Sequence, residues 1–133
     1  FPQAKVTVEF QTIDVFADLA GFRRACDLLH ETGHRAMLDG LTPLGLWMLA
    51  DARLPVDGFK LIWSDDIAAA RPGTDRDPAA AVRALGPERM VLGRCGSLSA
   101  IDWGLRHGIS TFQGHFVDAT LIGRAAEPAA GGA

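Results

Sequence analysis

The chain has 133 residues, 48% of them hydrophobic, and a net charge of −3. This length suffices for one domain with its own core, and the hydrophobic fraction excludes a disordered chain. The charges form no basic stripe, so we expect no nucleic-acid polymer as a partner. No apolar run approaches the roughly 20 residues of a membrane span, so we expect no membrane contact by this segment and a cytoplasmic location.

The first predicted strand and helix come from two different hydrophobic periods. Val6, Val8 and Phe10 alternate with polar residues, which predicts a strand. We expect Asp14 to cap the following helix and Gly33 to end it.

The middle of the chain repeats the strand–helix pattern. Short apolar runs at Ala36–Leu38 and Phe59–Trp63 predict strands, and Leu44–Arg53 between them predicts a helix with Pro43 in its first turn. The stretch Asp65–Leu85 predicts helix at both of its ends, with a loop at residues 71–74.

The last part of the chain predicts two more strands around one helix. Met90–Leu92 and Ile109–Phe112 are the strands. The helix between them is expected to start after Ser97, to end at Gly108 and to bury one apolar face. That predicted face consists of Leu98, Ile101 and Leu105.

Five strands alternating with helices predict an α/β fold with a parallel sheet. A complete (β/α) barrel takes about 250 residues, so the sequence predicts a partial TIM-like barrel of about five parallel strands with helices on the outside. We expect this domain at residues 1–124 and a flexible Ala-, Gly- and Pro-rich tail at residues 125–133. Because an open half-barrel exposes its strand edges, a protein partner or self-association is expected to cover them.

Reactive groups of parallel βα folds gather at the carboxyl ends of the strands. The predicted strands offer Glu9, Asp39, Lys60 and Gln113 there. Two carboxylates could hold Mg²⁺ or Mn²⁺, with the lysine orienting a water or neutralising a phosphate. Alternatively, Glu9 and Lys60 form an ion pair that satisfies both charges. Arg94 could bind a phosphate or fill the space beside Gly93.

The order and spacing of four segments resemble the second half of an EAL-type cyclic di-GMP phosphodiesterase domain, over residues 4–117. Val8–Thr12 resembles the Glu-Leu-Thr-Glu strand of that family, and Leu38–Pro43 resembles its Asp-Asp-Phe-Gly-Thr-Gly motif. Leu54–Lys60 is similar to its Leu-Pro-Val-Asp-x-(Leu/Ile)-Lys segment, and residues 113–114 match its Gln-Gly pair. The resemblance implies metal ligands at Glu9 and Asp39, the catalytic-site lysine at Lys60, and a ligand contact at Gln113. Arg94 stands where the family has a glycine, so its possible role in binding a phosphate rests on its own chemistry.

The chain departs from the family pattern where further carboxylates are expected. The replaced positions are Thr12, Gly40, Ile62, Gly93 and Gly96. Two-metal phosphodiester hydrolysis needs several carboxylates to hold both cations, so these replacements imply a degenerate site. Lys60, Glu9 and Asp39 would then be vestigial, with no cofactor expected unless one weak Mg²⁺ or Mn²⁺ site is retained.

The resemblance therefore implies a catalytically inactive EAL-like regulatory or interaction module in bacterial cyclic di-GMP signalling. One alternative is a receptor domain that binds cyclic di-GMP without hydrolysis. Another is a residual metal-dependent phosphodiesterase.

Overall fold

A computed structural model describes residues 4–73, 77–115 and 117, and the predicted tail at 125–133 lies outside them. The strands are β1 (Thr7–Gln11), β2 (Arg35–Leu41), β3 (Gly58–Ile62), β4 (Met90–Gly93) and β5 (Thr111–Phe112). The helices are α1 (Thr12–Ala17), α2 (Leu19–Glu31), α3 (Pro43–Ala52), α4 (Asp65–Ala69), α5 (Pro78–Leu85) and α6 (Leu98–Arg106), with a 3-10 turn at Pro87–Arg89.

The strands form one parallel sheet in the order β1-β2-β3-β4-β5, so their order in space is their order along the chain. Each crossover therefore advances the sheet by one strand in the same direction, without the reversal of a doubly wound sheet. The predicted α/β class with five parallel strands is confirmed, and the winding is that of a partial (β/α) barrel.

The core lies between the sheet and its helices. Leu38, Phe59, Leu61 and Leu92 point to this side and are almost completely buried. Their neighbours along the strands, such as Lys60, alternate to the opposite side and are only partly buried. We call that opposite side the open face of the sheet.

Side-chain caps fix the starts of α3 and α5. The Thr42 hydroxyl accepts a hydrogen bond from the Gly45 amide at the start of α3, and Pro43 occupies the first turn as predicted. Asp77 caps α5 in the same way by accepting from the Ala79 amide. These caps set the points at which the chain leaves β2 and enters α5.

The expected helix after β1 is two helices, and the prediction that Asp14 caps it is wrong. Asp14 lies inside the first turn of α1. The helical conformation is interrupted at Asp18, whose φ of −149° and ψ of 80° are not helical. The Asp18 carboxylate accepts from the Gly21 amide and caps α2. α2 buries Phe22 and Cys26 and ends before Gly33, whose φ is 79°.

The predicted buried face of α6 is wrong at Leu98 and Leu105, which are 66% and 60% exposed. Its third member, Ile101, is partly buried against the core, and Ala100, Trp103 and Gly104 are buried there. A Cβ on Gly104 would lie 2.5 Å from Cε1 of Phe112, so the helix approaches β5 through its small residues. This close approach of the backbone sets the orientation of α6.

Both cysteines, Cys26 and Cys95, are buried free thiols. Burial raises the pKa of Cys26 and of Cys95, which keeps both protonated and unreactive. Trp63 and Trp103 pack against each other with ring centroids 5.9 Å apart.

No helix within the described residues has the length and the apolar character needed to cross a membrane.

Candidate functional site

Glu9 and Lys60 form an ion pair across β2 on the open face. The Lys60 Nζ donates to Oε1 of Glu9 over 3.1 Å. The side chain of Lys60 is 14% exposed and that of Glu9 is 46% exposed, so the lysine is the more strongly desolvated partner. The ion pair that the sequence left open as an alternative is therefore formed.

Asp39 lies one step closer to the carboxyl edge, and its carboxylate has other partners. The strand register places Glu9 beside Met37 and Gln11 beside Asp39. The Gln11 Nε2 donates to Oδ2 of Asp39 over 3.3 Å, and the Gly40 amide donates to Oδ1 over 2.7 Å. Gly40 adopts a φ of 74°, which glycine tolerates without strain.

The five predicted site residues thus divide among three separate contacts. Glu9 binds Lys60, Asp39 binds Gln11, which was not predicted, and Gln113 lies with Arg94 at the ends of β4 and β5. Within residues 4–73, 77–115 and 117, no group of three His, Cys, Asp or Glu side chains could hold a metal ion. The donor set therefore does not fit a two-metal centre.

Two of the positions where the resemblance predicts lost carboxylates, Ile62 and Gly93, lie close together. A Cβ built on Gly93 would contact Cδ1 of Ile62 and Cγ of Lys60, each at 3.4 Å. These are ordinary van der Waals distances, so residues of β3 border the space beside Gly93.

Arg94 and Gln113 line one pocket of about 430 Å³ with Gly96, Gly114 and His115. We call it the mouth pocket, because its residues directly follow β4 and β5. The Gln113 amide donates to the Leu92 carbonyl over 2.9 Å, which extends the strand pairing beyond β5. The pairing brings both predicted ligand-contact residues to one surface.

Gly114, which lines the mouth pocket, packs directly against the backbone of Cys95. Its φ is 150°, and a Cβ there would lie 2.3 Å from the backbone nitrogen of Cys95. The Cys95 amide in turn donates to the Gln113 carbonyl over 2.9 Å. Only glycine allows this backbone-to-backbone contact, which explains the Gln-Gly pair in structural terms.

Asp57, in the segment that resembles Leu-Pro-Val-Asp-x-(Leu/Ile)-Lys, has a structural role at the opposite end of the sheet. Its Oδ2 accepts from the Ala36 amide over 2.8 Å and contacts Nε2 of His30 at 2.9 Å. Partial burial alone would raise the pKa of Asp57, but these hydrogen bonds and the nearby charges of His30 and Arg35 outweigh it and hold that pKa below its ordinary value. Asp57 thereby ties α2 to the start of β3.

Sequence reasoning assigned no site role to Gln11 and did not anticipate the packing of Gly114. Gln11 shares a face with Glu9 by the two-residue period of β1, and this signal could have placed it beside Asp39. The packing of Gly114 on Cys95 has no local signal, because it depends on the contact between two loops.

Compared with protein-family models and with curated proteins, the chain matches none of them. The resemblance to EAL-type domains is therefore carried by its motifs and their spacing alone.

Proposed function

We propose that this domain is a catalytically silent relative of EAL-type cyclic di-GMP phosphodiesterases and acts as a regulatory or interaction module in bacterial second-messenger signalling. The single observation that carries the proposal is that both retained carboxylates are engaged by the protein itself. Glu9 accepts from Lys60, and Asp39 accepts from Gln11 and from the Gly40 amide.

The chemical argument concerns the number of negative ligands. Two-metal hydrolysis holds two cations about 4 Å apart, which requires several carboxylates and a positioned water. A ligand set reduced to Glu9 and Asp39 would bind divalent cations weakly, and Lys60 competes for one of them. The fold would keep its shape without these metals, because its core lies on the other side of the sheet.

The test is a hydrolysis assay on the purified chain with cyclic di-GMP and Mg²⁺ or Mn²⁺. We expect no linear dinucleotide. Metal-dependent turnover that disappears in Glu9→Ala but persists in Glu31→Ala, an exposed control at the end of α2, would overturn the proposal in favour of a residual phosphodiesterase.

A cyclic di-GMP receptor without hydrolysis is the second candidate, favoured by the placement of Arg94 and Gln113 along one pocket. Calorimetry with cyclic di-GMP in EDTA tests it. Saturable heat at micromolar nucleotide supports a receptor, and no heat at high micromolar nucleotide removes it.

The proposed module works in the cytoplasm through a protein partner or a second copy. What supports a partner at this surface is the open face, where Glu9 on the edge strand β1 is 46% exposed. Partner binding there requires no catalysis.

A further inference from the structure

The mouth pocket carries an inference that goes beyond the proposed function and does not depend on it. Among the residues that the structure describes, Arg94, Gly96, Gln113, Gly114 and His115 line it, and none of these five carries a carboxylate. The chain as a whole has a net charge of −3, whereas these lining residues include the positive charge of Arg94 and no negative charge. Such a lining selects anionic ligands.

Arg94 adopts a backbone conformation that an arginine normally avoids. Its φ is 56°, and within the described residues only Arg53 is another non-glycine residue with positive φ. Holding a non-glycine residue there costs about 1–3 kcal/mol, which a glycine would avoid. Arg94 therefore occupies a position whose backbone conformation favours glycine.

The Arg94 side chain is exposed, and its guanidinium has no hydrogen-bond or ion-pair partner within the described residues. A guanidinium presents five N–H donors in a planar fork that matches phosphate oxygens. Gln113 follows the paired end of β5 on the opposite wall and adds an amide donor. Donors therefore face the pocket from the ends of two strands.

The backbone of the mouth pocket adds to its preference for anions. Gly96 leaves open space where a Cβ would be, so a ligand can approach the chain closely there. The nine-residue helix α6 starts two residues later, and its N-cap residue, Ser97, makes no side-chain capping bond. The positive end of the α6 dipole therefore follows the pocket-lining Gly96 closely along the chain.

We propose that the mouth pocket binds the phosphate group of a small phosphomonoester, with Arg94 as its principal ligand and Gln113 and His115 as flanking contacts. The pocket volume of about 430 Å³ leaves room for a ring-sized group beside the phosphate. A dianionic monoester matches a site made of donors without carboxylates better than a singly charged diester does. No metal takes part.

The experiment titrates the ¹⁵N-labelled full chain at constant ionic strength in EDTA. The probes are inorganic phosphate, adenosine monophosphate and cyclic di-GMP. We expect saturable amide shifts at Gly96, Gln113, Gly114 and His115 with the monoester, weaker ones with inorganic phosphate and the weakest with the cyclic diester. Two results would overturn the proposal. One is the absence of a saturable shift with both inorganic phosphate and adenosine monophosphate, and the other is saturation by cyclic di-GMP alone.

Two glycine variants separate binding from folding. Arg94→Gly removes the guanidinium and relieves the positive φ, so we expect the melting temperature to hold or rise while affinity falls about tenfold or more. Arg53→Gly relieves the same strain at the end of α3, outside the mouth pocket, and should leave affinity unchanged. Equal affinities of Arg94→Gly and the unaltered chain would overturn the role of Arg94.

A charge-conserving variant completes the set. Arg94→Lys retains one positive charge but loses the planar fork, so its affinity should lie between those of the unaltered chain and Arg94→Gly. An affinity of Arg94→Lys as low as that of Arg94→Gly also supports bidentate recognition. An affinity above that of the unaltered chain would contradict it. Because metal is absent throughout, these results are independent of the hydrolysis assay.

Discussion

Lys60 and Glu9 lie on strands that are not neighbours, yet Nζ and Oε1 are 3.1 Å apart across β2. We expect Glu9→Gln to lower the free energy of unfolding by about 1 kcal/mol, because it leaves a largely buried ammonium without its counter-charge. Urea denaturation measures the loss.

A matched control is Asp102→Asn, which breaks the exposed Asp102–Arg106 pair within α6. It should cost less, since both partners are well solvated. The double variant Glu9→Gln/Lys60→Met should recover part of the loss caused by Glu9→Gln. A Glu9→Gln variant as stable as the unaltered chain would show that the pair contributes nothing.

Restoring carboxylates should restore cation binding. In the double variant Ile62→Asp/Gly93→Glu, two new acids would join Glu9 and Asp39 on the open face, where a side chain at residue 93 has room. We expect the melting temperature to rise with added Mn²⁺, because a cation that binds only the folded state stabilises it.

The uncharged counterpart of that variant, Ile62→Asn/Gly93→Gln, keeps the same shapes without the charge. Its melting temperature should not respond to Mn²⁺. An equal response of both variants, or none in a folded carboxylate variant, would contradict the alignment of these positions with the metal ligands of the EAL family.

His107 should make stability depend on pH near neutrality. Burial beside Trp103 lowers its pKa from the ordinary 6.5, an effect that Asp77 opposes and that Arg83 and Arg106 reinforce. The unfolded chain therefore binds the proton more readily. The stability contributed by neutral His107 is complete above pH 6.5 and is lost as the pH falls through the folded pKa.

In His107→Gln, the decline of stability between about pH 7.5 and about pH 5 should be shallower than in the unaltered chain. Thermal melts across this range measure it. Parallel curves for the two proteins would show that His107 contributes no linkage.

Gly114 and Gly96 make a matched pair for testing the mouth pocket's frame. Gly114→Ala places a Cβ 2.3 Å from the Cys95 nitrogen and should destabilise the fold by about 1–3 kcal/mol, because backbone must move. Gly96→Ala meets no atom within 4 Å and should change stability little. Equal losses in chemical denaturation would contradict this packing argument.

Self-association should protect the edges of the sheet. Ile13 beside β1 is 80% exposed and Leu105 near β5 is 60% exposed, so apolar side chains stand at both edges. We expect a dimer at micromolar concentration in sedimentation. Ile13→Lys should dissociate it if β1 forms the contact, and Leu105→Lys if the β5 side does. A 14.2 kDa monomer of the unaltered chain would refute the expectation.

The strand positions and the class of fold were predictable because each strand is a short apolar run between helical segments. Ala36–Leu38 lies within β2, and Met90–Leu92 lies within β4. The face of α6 was not predictable, since an apolar stripe ordinarily faces the core. The close approach of Gly104 to Phe112 reverses that rule, and it depends on a neighbour in space.

Most residues of the candidate site were predictable from the sequence, but most of their hydrogen-bond partners were not. The Glu9–Lys60 contact followed from two strand ends on a common face, so it could be anticipated as one of two alternatives. The bond from Gln11 to Asp39 required the register of β1 on β2, which a single sequence does not specify. The positive φ of Arg94 likewise depends on how its loop packs.

The shortness of β5 has a kinetic consequence. With Thr111 and Phe112 paired to β4 and the pairing extended only by bonds of Gln113, this edge has a shorter ladder than the β1–β2 pair. Amide hydrogen exchange should accordingly be fastest on the β5 side, where local opening precedes global unfolding. An anion clamped between Arg94 and Gln113 would slow that opening, so occupancy of the pocket could be recorded as protection of the last strand.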